Sequence, residues 1–140
     1  SLKAIFLHID NHEKAFLARF GLNIPRFFVL SHLNKKPGIT NMDLCERLLC
    51  TKSNTSRIVQ GMIKDNLIKR VGHPEDRRSF QLFLTPQGQA LFDQVQPAYN
   101  DQINALMSLI DSDKLDHYLE VSQSIESILA PASQNLPDGE

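Results

Sequence analysis

Only two of the 140 residues are cysteine, Cys45 and Cys50, too few for a disulfide framework and in keeping with a reducing cytoplasm. Five residues apart at an expected helix-to-turn junction, they suit small buried hydrophobes better than a redox pair. No apolar run approaches the ~18 residues that a bilayer span needs, so no membrane partner is expected. The N-terminus lacks a charged stretch leading into an apolar segment and a small-residue cleavage site. Its first residue, Ser1 in place of methionine, suggests that a few native residues precede it. Gly-rich phosphate loops, a G-x-S-x-G elbow, Cys-x-x-Cys and clustered carboxylates are all missing, which argues against an enzyme and against a resident cofactor. Basic residues are scarce late in the chain: after Arg78 there is only Lys114.

What is present is polarised. Residues 1–78 hold 14 Lys and Arg against 7 Asp and Glu, a net +7. Residues 79–140 hold one against 9, a net −8, inside an overall charge of −1. Lys52, Arg57, Lys64, Lys69, Arg70, Arg77 and Arg78 fall close together in the basic part. Such a domain offers a polyanion one side only. With 41% hydrophobic and 22% charged residues, the chain has the makings of one globular core.

Apolar spacing predicts a first helix over residues 1–20, with Leu2, Ile5, Ile9, Phe16 and Phe20 recurring at helical intervals and Gly21 as its stop. A second helix opens near Pro25, faces Phe27, Leu30 and Leu33 inward, and ends at Pro37-Gly38. A short third helix follows Thr40, a plausible N-cap with Asp43 three residues on; Leu44 and Leu48 face the core. The fourth, "TKSNTSRIVQGMIKDNLI", buries Thr55, Val59, Met62 and Ile63. Its other face carries Lys52, Ser53, Asn54, Ser56 and Arg57, mostly indifferent helix formers. Small polar groups plus arginine suit a helix end that approaches a hydrogen-bonding surface.

"LIKRVG" and "SFQLFLT" read as two strands, the second with Phe80, Leu82 and Leu84 alternating on one face. Gly72, His73, Pro74 and Glu75 break the structure between them, so Asp76-Arg77-Arg78 lies at or just past the tip of a hairpin. Thr85 and Pro86 then cap and open a long helix through Leu91, Val95 and Leu106, with a bend expected at Pro97. Ser112 is expected to cap a last helix carrying Leu115, Leu119, Ile125 and Leu129. The polar stretch 131–140 reads as a disordered tail.

The fold expected is mainly α with a small β-hairpin wing, in the layout of a winged helix–turn–helix. Residues 40–88, "TNMDLCERLLCTKSNTSRIVQGMIKDNLIKRVGHPEDRRSFQLFLTPQG", resemble the DNA-binding core of the multiple-antibiotic-resistance regulator (MarR) family. The wing signature is the specific part: Asp76, Arg77, Arg78 and Ser79, then Leu84, Thr85 and Gly88. The resemblance covers roughly residues 1–130, a single domain with a winged helix–turn–helix core at about 25–88 and dimerisation helices at 1–20 and 86–130.

That resemblance implies a sequence-specific regulator of transcription, a ligand-responsive repressor that binds double-stranded DNA as a homodimer on a pseudo-palindromic operator. Ser53, Asn54, Ser56 and Arg57 would meet base edges or adjacent phosphates in the major groove, with Lys52 on the backbone. Arg78 would enter the minor groove, held by a charge-assisted hydrogen bond that it donates to the Asp76 carboxylate, and Arg77 would meet phosphate. The long flanking helices carry more apolar stripe than one small winged domain can cover, which calls for a partner surface. In the family the first helix and the last two interlock with a second copy. An aromatic or phenolic effector is also implied, with His12, Phe16, Phe20, Phe27 and Phe28 as candidate lining. His8 and His12, four residues apart, are the weaker candidates for a metal. The rival reading is a protein-interaction adaptor that kept the winged fold and lost DNA binding; it would be expected to have lost the basic wing and the polar helix face.

Overall fold

The computed structural model describes the backbone of residues 1–133 and the side chains of residues 1–130. The order is α1 (Leu2–Ala18), α2 (Ile24–Lys35), β1 (Ile39–Thr40), α3 (Asn41–Leu48), α4 (Lys52–Lys64), β2 (Ile68–Gly72), β3 (Phe80–Leu84), α5 (Pro86–Met107) and α6 (Ser112–Ser133). It divides into two compact units, Ser1–Pro97 and the stretch from Ala98 on. The boundary inside α5 falls at the proline, which has no N–H to give the helix ladder.

Side-chain caps set where the helices of the first unit begin. Ser1, Asn23, Thr40 and Thr51 each accept a hydrogen bond from the backbone N–H three residues on, satisfying donors that the helix leaves open. Gly21, at φ +71°, lets the chain turn after α1 so that the Leu22 amide donates to the Leu17 carbonyl at 3.0 Å. Leu49 ends α3 at φ +53°, a conformation costing a non-glycine residue about 1–2 kcal/mol. It turns the chain so that the Cys50 N–H reaches the Cys45 carbonyl at 3.4 Å, and α4 begins two residues later. Both thiols are free and half-buried at this turn.

The sheet is three-stranded and antiparallel, in the order β1-β3-β2. Its hairpin partners are as expected, but β1 corrects the two-stranded expectation: Ile39 pairs with Leu82 and Thr40 with Gln81. Two residues are too few to show a period, so only the fold reveals this strand. Phe80 also departs from expectation. It shares the face of Leu82, yet Leu82 is 1% exposed and Phe80 44%.

The core joins Leu30 and Leu33 of α2, Ile39, Leu44 of α3, Val59 and Met62 of α4, Ile68, Leu82 and Val95, all nearly inaccessible to water. Phe27 stacks on Phe92 at 6.3 Å between ring centroids. Thr85 locks the end of the hairpin to the end of α4. Its hydroxyl donates to the Asn66 carbonyl at 2.6 Å and accepts from the Gly88 N–H at 3.0 Å. A Cβ on Gly88 would collide with the Leu67 carbonyl oxygen, which is why the Leu-Thr-x-x-Gly spacing ends in glycine.

From Ala98 on, no described side chain is buried. Tyr118, Leu119, Val121 and Ile128 of α6 are all exposed. The helix starts one residue earlier than a Ser112 cap requires: Ser112 is its first residue, and Asp111 supplies the carbonyl that accepts from the Leu115 N–H at 2.9 Å. It also continues through Ser133, past the 131 boundary expected for the tail; residues 134–140 lie outside the described residues.

Candidate nucleic-acid interface

Helical geometry divides α4 into two faces. Thr55, Val59 and Met62, at i, i+4 and i+7, go into the core, which turns Lys52, Ser53, Asn54 and Arg57 outward, all exposed. Ser56 is half-buried and its hydroxyl accepts from the Asn41 amide at 3.4 Å. The open N–H groups at this end carry partial positive charge, and Lys52, the first helical residue, adds a full one. An anion is therefore favoured there.

The wing is a turn held by short-range bonds. The His73 amide donates to the Ser79 carbonyl and the Ser79 amide to the Asp76 carbonyl, both at 3.1 Å. The Glu75 amide donates to His73 Nδ1 at 3.1 Å. Asp76 acts differently from the expectation. Its carboxylate accepts from the backbone N–H of Arg78 at 2.9 Å, and among the described residues no ion pair joins it to either arginine side chain. An aspartate two residues ahead of an amide closes a local turn with little entropy lost. Reaching a long guanidinium would immobilise more rotatable bonds. Asp76 thus shapes the loop from which Arg77 and Arg78 project.

Three of the expected residues meet at one place. Lys52, Ser56 and Arg78 line a cleft of about 270 Å³ between the start of α4 and the wing. Ser53, Asn54 and Arg57 stand outside it on the exposed side of α4, and Asp76 and Arg77 on the wing turn. The cleft also holds residues given no role from sequence, Asn41, Gln60 and Arg70. Gln60 lies one turn beyond Ser56 on the same face, a signal available in the helical period. Arg70 has its own signal, a charge two residues after Ile68 and so on the inward face of its strand.

The expected effector residues do not gather round one cavity. Phe20 lines a separate cavity of about 440 Å³ with Arg26, Asp65, Gln87, Leu91 and Gln94. Arg26 Nη1 donates there to Asp65 Oδ2 at 2.6 Å. Phe16 is buried against Phe20, ring centroids 5.4 Å apart, and Phe27 belongs to the core, whereas His12 and Phe28 are exposed. His8 and His12 are both exposed, and among the described residues no three His, Cys, Asp or Glu side chains gather as a metal site would require.

Comparison with known proteins agrees with this geometry. A model of the MarR family matches residues 20–79, from just after α1 to the end of the wing turn. The repressor YetL of Bacillus subtilis is 26% identical over 116 residues, covering 81% of this chain and 68% of its own. A crystal structure of a MarR family transcription regulator superposes with a TM-score of 0.83 at 23% identity, covering 96% of this chain and 89% of that one. The repressor CouR, solved bound to a 23-mer DNA duplex, has a TM-score of 0.81 at 25% identity, covering 89% of this chain and 88% of its own. With a winged helix–turn–helix, a polar helix face and a basic wing all in register, this chain is similar to the MarR family of transcription regulators, and the likeness is to DNA-binding regulators, not to enzymes.

Proposed function

We propose that this chain is a cytoplasmic, homodimeric repressor that holds a pseudo-palindromic operator between two copies of the α4–wing face. The observation that carries the reading is the convergence of Lys52, Ser56 and Arg78 on one cleft. Two elements distant in sequence thereby present cations to one surface. In this reading α4 enters the wide groove, where Ser53, Asn54 and Arg57 reach base edges or phosphates, and Arg78 enters the narrow groove, whose negative potential attracts guanidinium. Arg77 meets phosphate. Two-fold symmetry then sets two half-sites about one helical turn apart.

The exposed apolar residues of α6, together with Leu2, Ile5 and Phe6 of α1, support a second copy as partner, because one chain leaves them in water. The cavity beside Phe20 is the place for an aromatic effector, with the Arg26–Asp65 pair at its wall. Such a ligand releases DNA by binding more tightly to the DNA-incompetent spacing of the reading helices. CouR, a repressor solved on a DNA duplex, supports the DNA reading over an adaptor.

Titrating duplex DNA at rising KCl tests it. Log affinity is expected to fall linearly with log salt as lysine and arginine give up phosphate contacts. Binding that ignores salt, or no binding, contradicts a DNA-gripping face and returns the adaptor.

A further inference from the structure

The hairpin register holds an anomaly: a cation stands on the face of the sheet that covers the core. Arg70 pairs with Leu82, and Gly72 with Phe80. Directly paired residues of an antiparallel ladder project to the same side. Leu82 is buried, so Arg70 leaves the sheet on the inward side. It does not run out to solvent alone. Its guanidinium carbon stands 5.2 Å from the centroid of the Phe80 ring, the same ring that the core leaves exposed. Phe80 therefore serves as a platform: a planar cation stacked on an aromatic face keeps a defined orientation that a free arginine lacks.

Both residues line the cleft between α4 and the wing, where Lys52 and Arg78 also stand. Three cations thus come from three elements, with no carboxylate among the lining residues. The cleft is smaller than the roughly 300–1,000 Å³ of drug-sized ligand pockets. Its position matters more than its size, since it separates the helix assigned to one groove from the arginine assigned to the other. On duplex DNA, the ridge between the two grooves is a sugar–phosphate strand.

We infer that this cleft seats one backbone phosphate of the operator, with Arg70 as its ligand and Phe80 as the residue that positions Arg70. The inference rests on the DNA reading above and names the contact that bridges its two halves. Arginine's fork of N–H donors matches two phosphate oxygens at once, and a contact to phosphate fixes register without reading sequence.

The test is DNA affinity against KCl for the full chain carrying Arg70→Gln, which keeps the aliphatic stem, with the unfolding midpoint followed in parallel. Loss of one phosphate contact per copy is expected to reduce the log–log salt slope by about 0.9 per half-site. Affinity should weaken by the same factor on operator and on random duplex, at an unchanged unfolding midpoint. Phe80→Leu should weaken binding in the same sequence-blind way, and Phe80→Tyr, which restores a ring, should recover it. A steep wild-type slope that Arg70→Gln leaves intact overturns the inference and spares the DNA reading, as does a loss confined to the operator. Equal losses for Phe80→Leu and Phe80→Tyr overturn the platform, and a flat wild-type slope overturns both readings. A free phosphate ester would suit the same cations. Millimolar inorganic phosphate at fixed ionic strength is expected to leave wild-type affinity unchanged, and competition that Arg70→Gln abolishes overturns the assignment to a strand.

Discussion

Residues 1–97 and residues 98–130 handle their apolar side chains in opposite ways. In the first stretch α2, α3, α4 and the sheet share one dry interior, and every buried apolar side chain among the described residues lies there. In the second, α6 is as long as α5 at 22 residues, yet Tyr118, Leu119, Val121 and Ile128 face water. Charge divides in nearly the same place, basic through Arg78 and acidic beyond it. The first region has its own core and can hold a polar helix tip and a wing in fixed places. A helix that leaves its stripe uncovered gains stability when something covers it. The lesson is a division of labour, in which one region holds a packed core and a cationic face while the other keeps its apolar side chains exposed; in the proposed function these are the DNA face and the surface for a second copy.

The division is most severely tested on α6. Leu119→Glu with Ile128→Glu should give a monomer by sedimentation at low micromolar concentration. With one reading head in place of two linked ones, operator affinity should fall by about 10²–10⁴; a variant that remains a dimer with full affinity would break the contrast. Next in size is Gly88→Ala, aimed at the self-sufficient region. The added methyl meets the Leu67 carbonyl, and the strain should cost about 3 kcal/mol in a urea titration, whereas an unchanged midpoint would mean that the hairpin anchor is soft. Arg78→Ala should cost about 1–3 kcal/mol of DNA affinity at an unchanged melting temperature, separating the DNA face from the core that supports it. Normal operator affinity in that variant would refute the wing assignment.

The smallest effect is a pH dependence confined to the first region. Burial pushes the His32 imidazole below its usual 6.5, and the positive charges of Arg47 and Lys35 push it the same way. Its Nδ1 is buried without a hydrogen-bond partner among the described residues. The unfolded chain then binds this proton more tightly than the folded one, so stability falls as pH drops below about 6.5 and is complete above it. Replacing the residue, as His32→Gln, should flatten that part of the stability–pH curve; an unaltered curve would remove His32 as its source.

Much of this was legible in the sequence, for local physical reasons. Thr40 as an N-cap and Gly21 as a stop follow from rules that act within a few residues, as does the hairpin between Ile68 and Leu84. The polar face of α4 was readable because burial of Thr55, Val59 and Met62 fixes what the opposite side must be. What escaped depends on distant partners. β1 exists only because Ile39 finds Leu82. The expected Asp76–Arg78 ion pair gave way to a backbone bond because the nearer amide was available at lower entropic cost. Arg70 meets Phe80 through the hairpin register, so the basic run around Arg70 was visible while its contact with Phe80 was not; Gln60, by contrast, was within reach of the helical period. The five residues expected round an effector shared helical spacing, which places side chains on a helix face but does not say which faces meet.

A nuclease footprint of the full chain on the DNA upstream of its own gene tests the central claim most directly. Two protected segments related by an inverted repeat, centred about 10 base pairs apart or a multiple of that, are the expected result. Protection of a single unpaired segment, or no protection at salt low enough for phosphate contacts to form, would contradict a paired molecule gripping duplex DNA.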